Sequence, residues 1–373
     1  AYETMVNSQG LNPENAYASE VIDRFKFSLK VPFFIKAYLL SSIKKRIARI
    51  LKYKHDMIER DIDMINKYPF EKPLKILISG SHGLIGKNLG YFLEFMGHDV
   101  WHLCRGMGDN EKTVYWDPKT GECNPRNFEG FDTVIHLAGE NIGKGRWTEK
   151  KKERILKSRT EGTEALTNVI KGLKSPPKTF ISASAIGYYG DCGSAVVDES
   201  SDPGKRLFIT EVCERWERAS KELEEKGIRV VQARFGMVLS SEGGALKKML
   251  TPFKLGFGGR LGNGKQYVSW VAIDDVVGAL YHTIMTSSIK GAVNIVSPEP
   301  ISNETLTKKL AKALNRWQGA PIPEALIRLL MGQKGEELLL TSARVCPTLL
   351  QKTHYRFQYP SIDKCFKHVI GYT

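Results

Sequence analysis

Residues 78 to 89 read ISGSHGLIGKNL, and Gly80, Gly83 and Gly86 within them are spaced for one kind of chemistry. Glycines at such positions let the chain turn sharply, bring bare backbone up to a pyrophosphate, and pack the following helix against the preceding strand. The helix start then offers free N–H groups and the positive end of its dipole to phosphate oxygens. Ser81, His82, Leu84 and Ile85 complete the candidate loop. The spacing is GxxGxxG, a variant of GxGxxG, so context has to carry it. LKILISG ahead of it reads as a buried strand and KNLGYFLEFMG after it as a helix. A glycine turn without a ligand is the plainer alternative, and the strand–loop–helix setting argues against it.

Three further stretches could complete a nucleotide site. HDVWHLCR reads as the second strand and ends in Cys104-Arg105, with no carboxylate at its tip. An acidic residue there would hold a ribose 2′-hydroxyl, whereas a guanidinium grips a 2′-phosphate. The expected cofactor is therefore NADP(H), unless Arg105 is only a surface arginine. HLAGEN places Leu137, Ala138 and Gly139 at another strand end, where small residues admit the adenosine side of a cofactor. SASAIGYYG ends the next strand, with Ser184 placed to donate a hydrogen bond into the crevice and Tyr188 and Tyr189 beside it. Packing or capping is the competing role for each of these hydroxyls.

Strands alternate with helices from Leu74 onward, and this predicts the frame that positions these groups. The expected fold class is α/β: a Rossmann-type doubly wound parallel sheet, a smaller C-terminal substrate lobe, and an N-terminal helical extension. Residues 73–240 are assigned to the NADP-binding domain. Residues 241–373, where the pattern becomes irregular and includes the glycine-rich loop GFGGRLGNGKQ, are assigned to the substrate lobe and C-terminal region. Residues 1–72 are read as a helical segment, in which Ile43, Ile47, Ile50, Leu51, Ile58 and Ile62 fall near one face. A helix packed on protein is preferred there over a membrane-surface helix. Pro69 and Pro73 punctuate the linker that follows.

Composition sets the outer bounds. Of 373 residues, 42% are hydrophobic and 26% charged, which suits a globular protein, and no apolar run reaches the roughly 18 residues a span needs. Neither a basic start nor an apolar core marks the N-terminus as a signal peptide. Six cysteines without a CxxC pair or ligand spacing predict reduced thiols, a cytoplasmic setting and no metal. A net charge of +14 asks for anionic company. Its basic runs are not interleaved with aromatics, so a phosphate-bearing small ligand is expected and nucleic acid is not. A homodimer is left open.

Taken together, these residues resemble the extended short-chain dehydrogenase/reductase superfamily, and within it an atypical "epimerase family protein" subfamily. The resemblance covers nearly all of residues 74–373 and rests on WDPKTG, HLAGENI, GRW, SRTEGT, SASAIGYYG, WERA, ARFGMVLSSEGGAL and LGNGKQYVSWVAIDD, in that order. It implies a Rossmann fold binding NADP(H), and adds Arg159 of the Ser-Arg pair and Val238 after Arg234 to the cofactor-binding residues. The long helix around LKYKHDMIERDI resembles the C-terminal end of a START-like ligand-binding domain, of which residues 1–72 would be a remnant.

One departure bears on function. Typical members of the superfamily carry Tyr-x-x-x-Lys on the helix after the serine-bearing strand, as a tuned acid–base pair. Here that helix contains VCERWE, whose candidate pairs are Val212 with Trp216 or Cys213 with Glu217. Neither supplies a phenol and an ammonium. Ser184 and Tyr188 are the remaining catalytic candidates. The expected function is an NADP(H)-dependent oxidoreductase or isomerase of epimerase type, on an unidentified small carbonyl or sugar-like substrate. The alternative is a catalytically silent NADP(H)-binding sensor.

Overall fold

The computed structural model describes residues 2–15, 18–29, 31–106, 112–204 and 206–371. The chain divides into two compact units, Ala1–Asp63 and Met64–Thr373. In the first, β1 (Tyr2–Asn15) and β2 (Ala18–Leu29) pair antiparallel and lead into α1 (Phe33–Lys67), a helix of 35 residues. The helical reading of residues 1–72 therefore fits α1, while the residues before it form a hairpin. Gly10 and Pro13 lie inside β1 and are poor strand formers, so pairing with β2 rather than local propensity makes that strand.

The second unit follows, in chain order, β3 (Lys75–Ser79), α2 (Leu84–Phe95), β4 (Asp99–Cys104), β5 (Thr113–Tyr115), β6 (Thr133–His136), α3 (Glu149–Lys171) and β7 (Thr179–Ala185). Then come β8 (Val196–Val197), α4 (Phe208–Arg218), β9 (Arg229–Phe235), β10 (Met237–Leu239) and α5 (Gly244–Lys254). After them lie β11 (Tyr267–Val268), β12 (Trp270–Ala272), α6 (Ile273–Met285), β13 (Gly291–Ile295), β14 (Ile301–Ser302), α7 (Asn303–Ala313) and α8 (Glu324–Met331). Seven strands form one parallel sheet in the order β13-β9-β7-β6-β3-β4-β5. The strand order reverses between β3 and β6, which is where a doubly wound sheet opens a ligand crevice.

Alternating side chains fill both faces. Ile76, Ile78, Ile135, Ile181 and Val231 meet α2 and α6 through Leu89, Phe92, Val276 and Leu280. Leu77, Val134, Phe180 and Val230 point the other way, toward Leu166 and Ile170 of α3. Strands buried on both faces read as the continuous apolar runs that the sequence shows. A separate core of Leu239, Leu246, Trp270, Ile301, Leu306 and Phe366 belongs to the lobe, with the short pairs β10–β12 and β11–β14. Sheet and lobe interleave along the chain, because β13 and α6, both past residue 240, return to the sheet. Among the described residues, no helix is long and apolar enough to cross a membrane.

Candidate functional site

β3 ends at Ser79 and the chain turns at Gly80, whose φ of +70° is left-handed. A Cβ there would stand 2.8 Å from the Leu137 carbonyl carbon and 2.9 Å from Ala138 N, so conformation and space both require glycine. Gly83 N donates to Gly80 O at 2.9 Å and closes the turn. A Cβ on Gly86 would collide with Gly80 O and stand 2.8 Å from Ser81 Cα, so α2 begins pressed against the loop. The first bond of the helix runs from Lys87 N to Gly83 O. The N–H groups of Leu84, Ile85 and Gly86 precede it, without intrahelical partners.

The loop after β6 is built to meet this turn. Ser79 Oγ accepts Leu137 N at 3.1 Å and Ala138 N at 3.3 Å. With both lone pairs taken, it gives its own proton to His136 Nδ1 at 2.7 Å. His136 is fully buried and desolvation pushes its pKa down to about 4. An unfolded histidine titrates near 6.5. The folded value is the lower one, so the stability it supports is present above about pH 6.5 and is lost as pH falls toward 4. Between pH 7 and pH 5, the wild type should therefore lose about 2 kcal/mol more than His136→Gln in denaturant titrations. Equal losses would show that this histidine accepts a proton without cost. Asp275, which burial raises to about 6, shifts stability the other way but is common to both proteins and cancels in the comparison.

On the far side of that loop, Arg159 of α3 lies beneath Gly139, whose Cβ would stand 3.3 Å from the guanidinium carbon. Arg159 Nη1 donates to Glu140 O at 3.0 Å and its guanidinium sits 4.8 Å over the Trp216 ring. Ser158 Oγ accepts Glu140 N at 3.0 Å, and Lys151 pairs with the Glu140 carboxylate. The Ser-Arg pair thus supports the crevice loop from below. Ile85, Leu137 and Val238 pack on one core, and a Cβ on Gly243 would stand 3.5 Å from Leu84 Cδ1, so the β10–α5 turn closes onto the glycine loop. At the tip of β4 the half-buried Cys104 thiol, raised by burial, is hydrogen-bonded to Ser81. Arg105 and His82 are exposed beside them. The glycine loop and the Leu137–Gly139 loop thus meet at the β3–β6 crevice, with Arg159 beneath the second loop and Val238 packed in the adjoining core.

The catalytic side differs from expectation in one contact. Ser184 is buried and donates its proton to Glu217 Oε1 at 2.6 Å, not into the crevice. Glu217 lies on α4, four residues after Cys213, and is matched by Arg234 of β9, with Nε to Oε1 and Nη2 to Oε2 both at 2.8 Å. The same guanidinium donates to Tyr189 OH at 2.8 Å, and Tyr189 OH donates to Asn294 Oδ1 at 2.8 Å. Its carbon also lies 3.5 Å over the ring of Tyr188, which is half-buried. Burial raises the Tyr188 pKa while Arg234 opposes the rise. Cys213, buried in the helix face, is pushed up to about 12, so it stays a thiol and is no nucleophile near neutrality.

Glu217 and Arg234 are the site residues that motif reading passes over. The signal for them is a carboxylate on the buried face of VCERWE and an arginine inside the apolar strand RVVQARF. Each would be costly alone, so each predicts the other.

Residues 76–295 match the NAD dependent epimerase/dehydratase family, and residues 322–369 match a domain of unknown function, DUF1731. "Epimerase family protein Mb2239" of Mycobacterium bovis is 36% identical over 78% of this chain and 95% of its own. "Epimerase family protein SDR39U1" of Homo sapiens is 31% identical, over 80% of this chain and all of its own. The crystal structure of the human protein with NADPH superposes with a TM-score of 0.74, covering 79% of this chain and 99% of that one. A nucleoside-diphosphate sugar epimerase from Corynebacterium glutamicum, 29% identical, superposes with a TM-score of 0.77 over 98% of this chain and 70% of its own.

Proposed function

We propose, from the premise that this chain belongs to the NAD dependent epimerase/dehydratase family, that it binds NADP(H) in the β3–β6 crevice and acts as an oxidoreductase or isomerase. The expected substrate is a small carbonyl or sugar-like molecule. The observation that carries this reading is the junction of Gly80 with Leu137 and Ala138, where a single Cβ would fill the space between the two loops. That bare-backbone cradle, ahead of the open N–H groups of α2, fits a pyrophosphate. Cys104-Arg105, with Ser81 and His82, would receive the 2′-phosphate, and Leu137 to Gly139, Arg159 and Val238 would line the remainder. The human relative with NADPH supports the same cofactor. When bound, NADP(H) supplies or takes up a hydride.

The chain's own contribution is proton handling. Burial keeps the Tyr188 proton in place, so the phenol serves as acid. Arg234, stacked on its ring, stabilises the phenolate as the proton leaves, replacing the missing lysine. Ser184, its proton given to Glu217, offers lone pairs and so positions a substrate hydroxyl or a water. NADPH and NADH titrations by fluorescence on wild type and Arg105→Glu test the cofactor. The wild type should prefer NADPH by about tenfold or more, the worth of one charge-assisted contact, and the variant should lose that preference. NADH binding as tight as NADPH in the wild type would sink the 2′-phosphate argument.

A second reading, an NADP(H)-binding sensor without turnover, draws support from the thiol at Cys213 and the commitment of Ser184 to Glu217. Transfer of deuterium from labelled NADPH across a carbonyl library, abolished by Ser184→Ala, would exclude it. A cytoplasmic setting belongs to the same proposal, supported by unpaired thiols at all six cysteines. The first unit is proposed as the end of a START-like fold, because a hairpin leading into a long helix has the form of that piece.

A further inference from the structure

α5 and α7 end side by side in the lobe, and the chain beyond each carries large apolar side chains outward. Leu255 N donates to Thr251 O at 3.2 Å and Gly256 N to Phe253 O at 3.1 Å, closing α5, and Gly256 takes a left-handed φ of +82°. Arg316 N donates to Ala311 O at 2.9 Å, closing α7, and Asn315 takes a left-handed φ of +52°. The two ends are tied together. Arg316 Nε donates to Lys254 O at 2.9 Å, and Gly319 N donates to Gly258 O at 2.9 Å. A Cβ on Gly319 would stand 2.9 Å from Gly256 O, so backbone packs directly on backbone. Phe253, Leu310 and Leu314 fill the core beneath. Leu255, Phe257 and Trp317 are left outside, 65%, 74% and 92% exposed.

Three such side chains on so fixed a base leave an apolar patch in water, which marks an interaction surface. Charge indicates what covers it. Residues 243–273 and 305–323, which build this corner, carry five and four lysines or arginines and no aspartate or glutamate. Lys309 is paired with Asp363, and Arg260 with Glu304. Lys254, Lys312 and Arg316 are exposed and have no carboxylate partner among the described residues. The C-terminal ends of α5 and α7 contribute about half a negative charge each, so three cations leave the corner positive. A second copy of the chain would bring the same cations against these, which disfavours self-association through this patch. A bilayer with anionic headgroups meets both needs. It takes up apolar side chains at headgroup depth and attracts the basic fringe. Tryptophan suits that depth, because its ring is apolar and its N–H polar.

We propose that Leu255, Phe257 and Trp317, fringed by Lys254, Lys312 and Arg316, dock the protein peripherally on an anionic lipid surface. Three side chains reach only the headgroup layer, so the attachment is shallow and reversible. It is independent of cofactor binding and of turnover. α1 is itself basic, with Lys44, Lys45, Arg46 and Arg49, so substitutions at the corner decide which surface binds.

The full chain is mixed with vesicles of phosphatidylcholine, with or without about a quarter phosphatidylserine, and pelleted. Binding is expected to the anionic vesicles and should weaken about tenfold or more as salt rises from about 0.1 M to about 1 M. Trp317→Ser and Phe257→Ser should each weaken it about fivefold or more and leave the melting temperature unchanged, since both side chains lie outside the core. Brominated lipid should quench the tryptophan emission of the wild type. Trp317→Phe should still pellet but lose most of that quenching. Vesicle binding that is absent, that is unchanged in the Trp317→Ser, Phe257→Ser double variant, or that is equally strong on pure phosphatidylcholine overturns the proposal. So does a dimer in analytical ultracentrifugation that Trp317→Ser abolishes, because a second copy would then cover the patch.

Discussion

Arg234→Met should destabilise the protein by about 3–5 kcal/mol, because it leaves Glu217 buried without its cation. The two side chains are only 5% and 14% exposed and share both bidentate contacts, so little water reaches the carboxylate once the guanidinium is gone. Ser184 supplies a single hydrogen bond and no charge. Tyr189 would also lose its donor, although Asn294 still accepts from it. Glu217→Leu alone should cost a comparable amount by stranding the cation. The double variant should recover most of both losses, since an apolar pair of similar volume avoids desolvating two ions. Urea midpoints of the four proteins give the coupling energy. A loss below about 1 kcal/mol for Arg234→Met would mean that water already solvates the pair. Activity and stability should separate here. In the double variant the fold returns, but Tyr188 loses the cation that would stabilise its phenolate.

Gly86→Ala should weaken NADPH binding by at least about thirtyfold, roughly 2 kcal/mol, while costing about 1–3 kcal/mol of stability. The added methyl would collide with Gly80 O and press on Ser81 Cα at 2.8 Å. The start of α2 has little freedom to move away, since Leu89, Phe92 and Leu93 anchor the helix in the main core. The loop must shift instead, and with it the backbone that would face the pyrophosphate. Gly90→Ala, one turn along the same helix, is the control. Its Cβ would lie an ordinary 3.7 Å from His102 Cε1, so binding should be unchanged and stability equal or higher by up to about 1 kcal/mol. Equal NADPH affinity for Gly86→Ala and wild type would remove the cradle from the binding site.

Much of this was legible in the sequence, for a local reason. Strand, loop and helix around Gly80, Gly83 and Gly86 are set by residues within a dozen positions of one another, and their apolar periodicity and glycine spacing survive without a structure. The alternation of strands and helices implied a parallel sheet, and β3, β4, β5, β6, β7, β9 and β13 form one. The β1–β2 hairpin was not legible, because β1, with Gly10, Pro13 and three asparagines, favours strand weakly and is made by its pairing with β2. Nor was the interleaving of sheet and lobe, since a strand such as β13 carries no mark of which sheet it joins.

The active side divides in the same way. VCERWE showed by itself that a Tyr-x-x-x-Lys pair is missing, with Val212 and Trp216 or Cys213 and Glu217 in its place. What that carboxylate does is a matter of three elements meeting: Ser184 from β7, Glu217 from α4 and Arg234 from β9. Sequence spacing sets which residues share a strand or a helix face. Only the packing of separate elements decides which charges meet, and for buried ions that meeting determines both their stability and their chemistry.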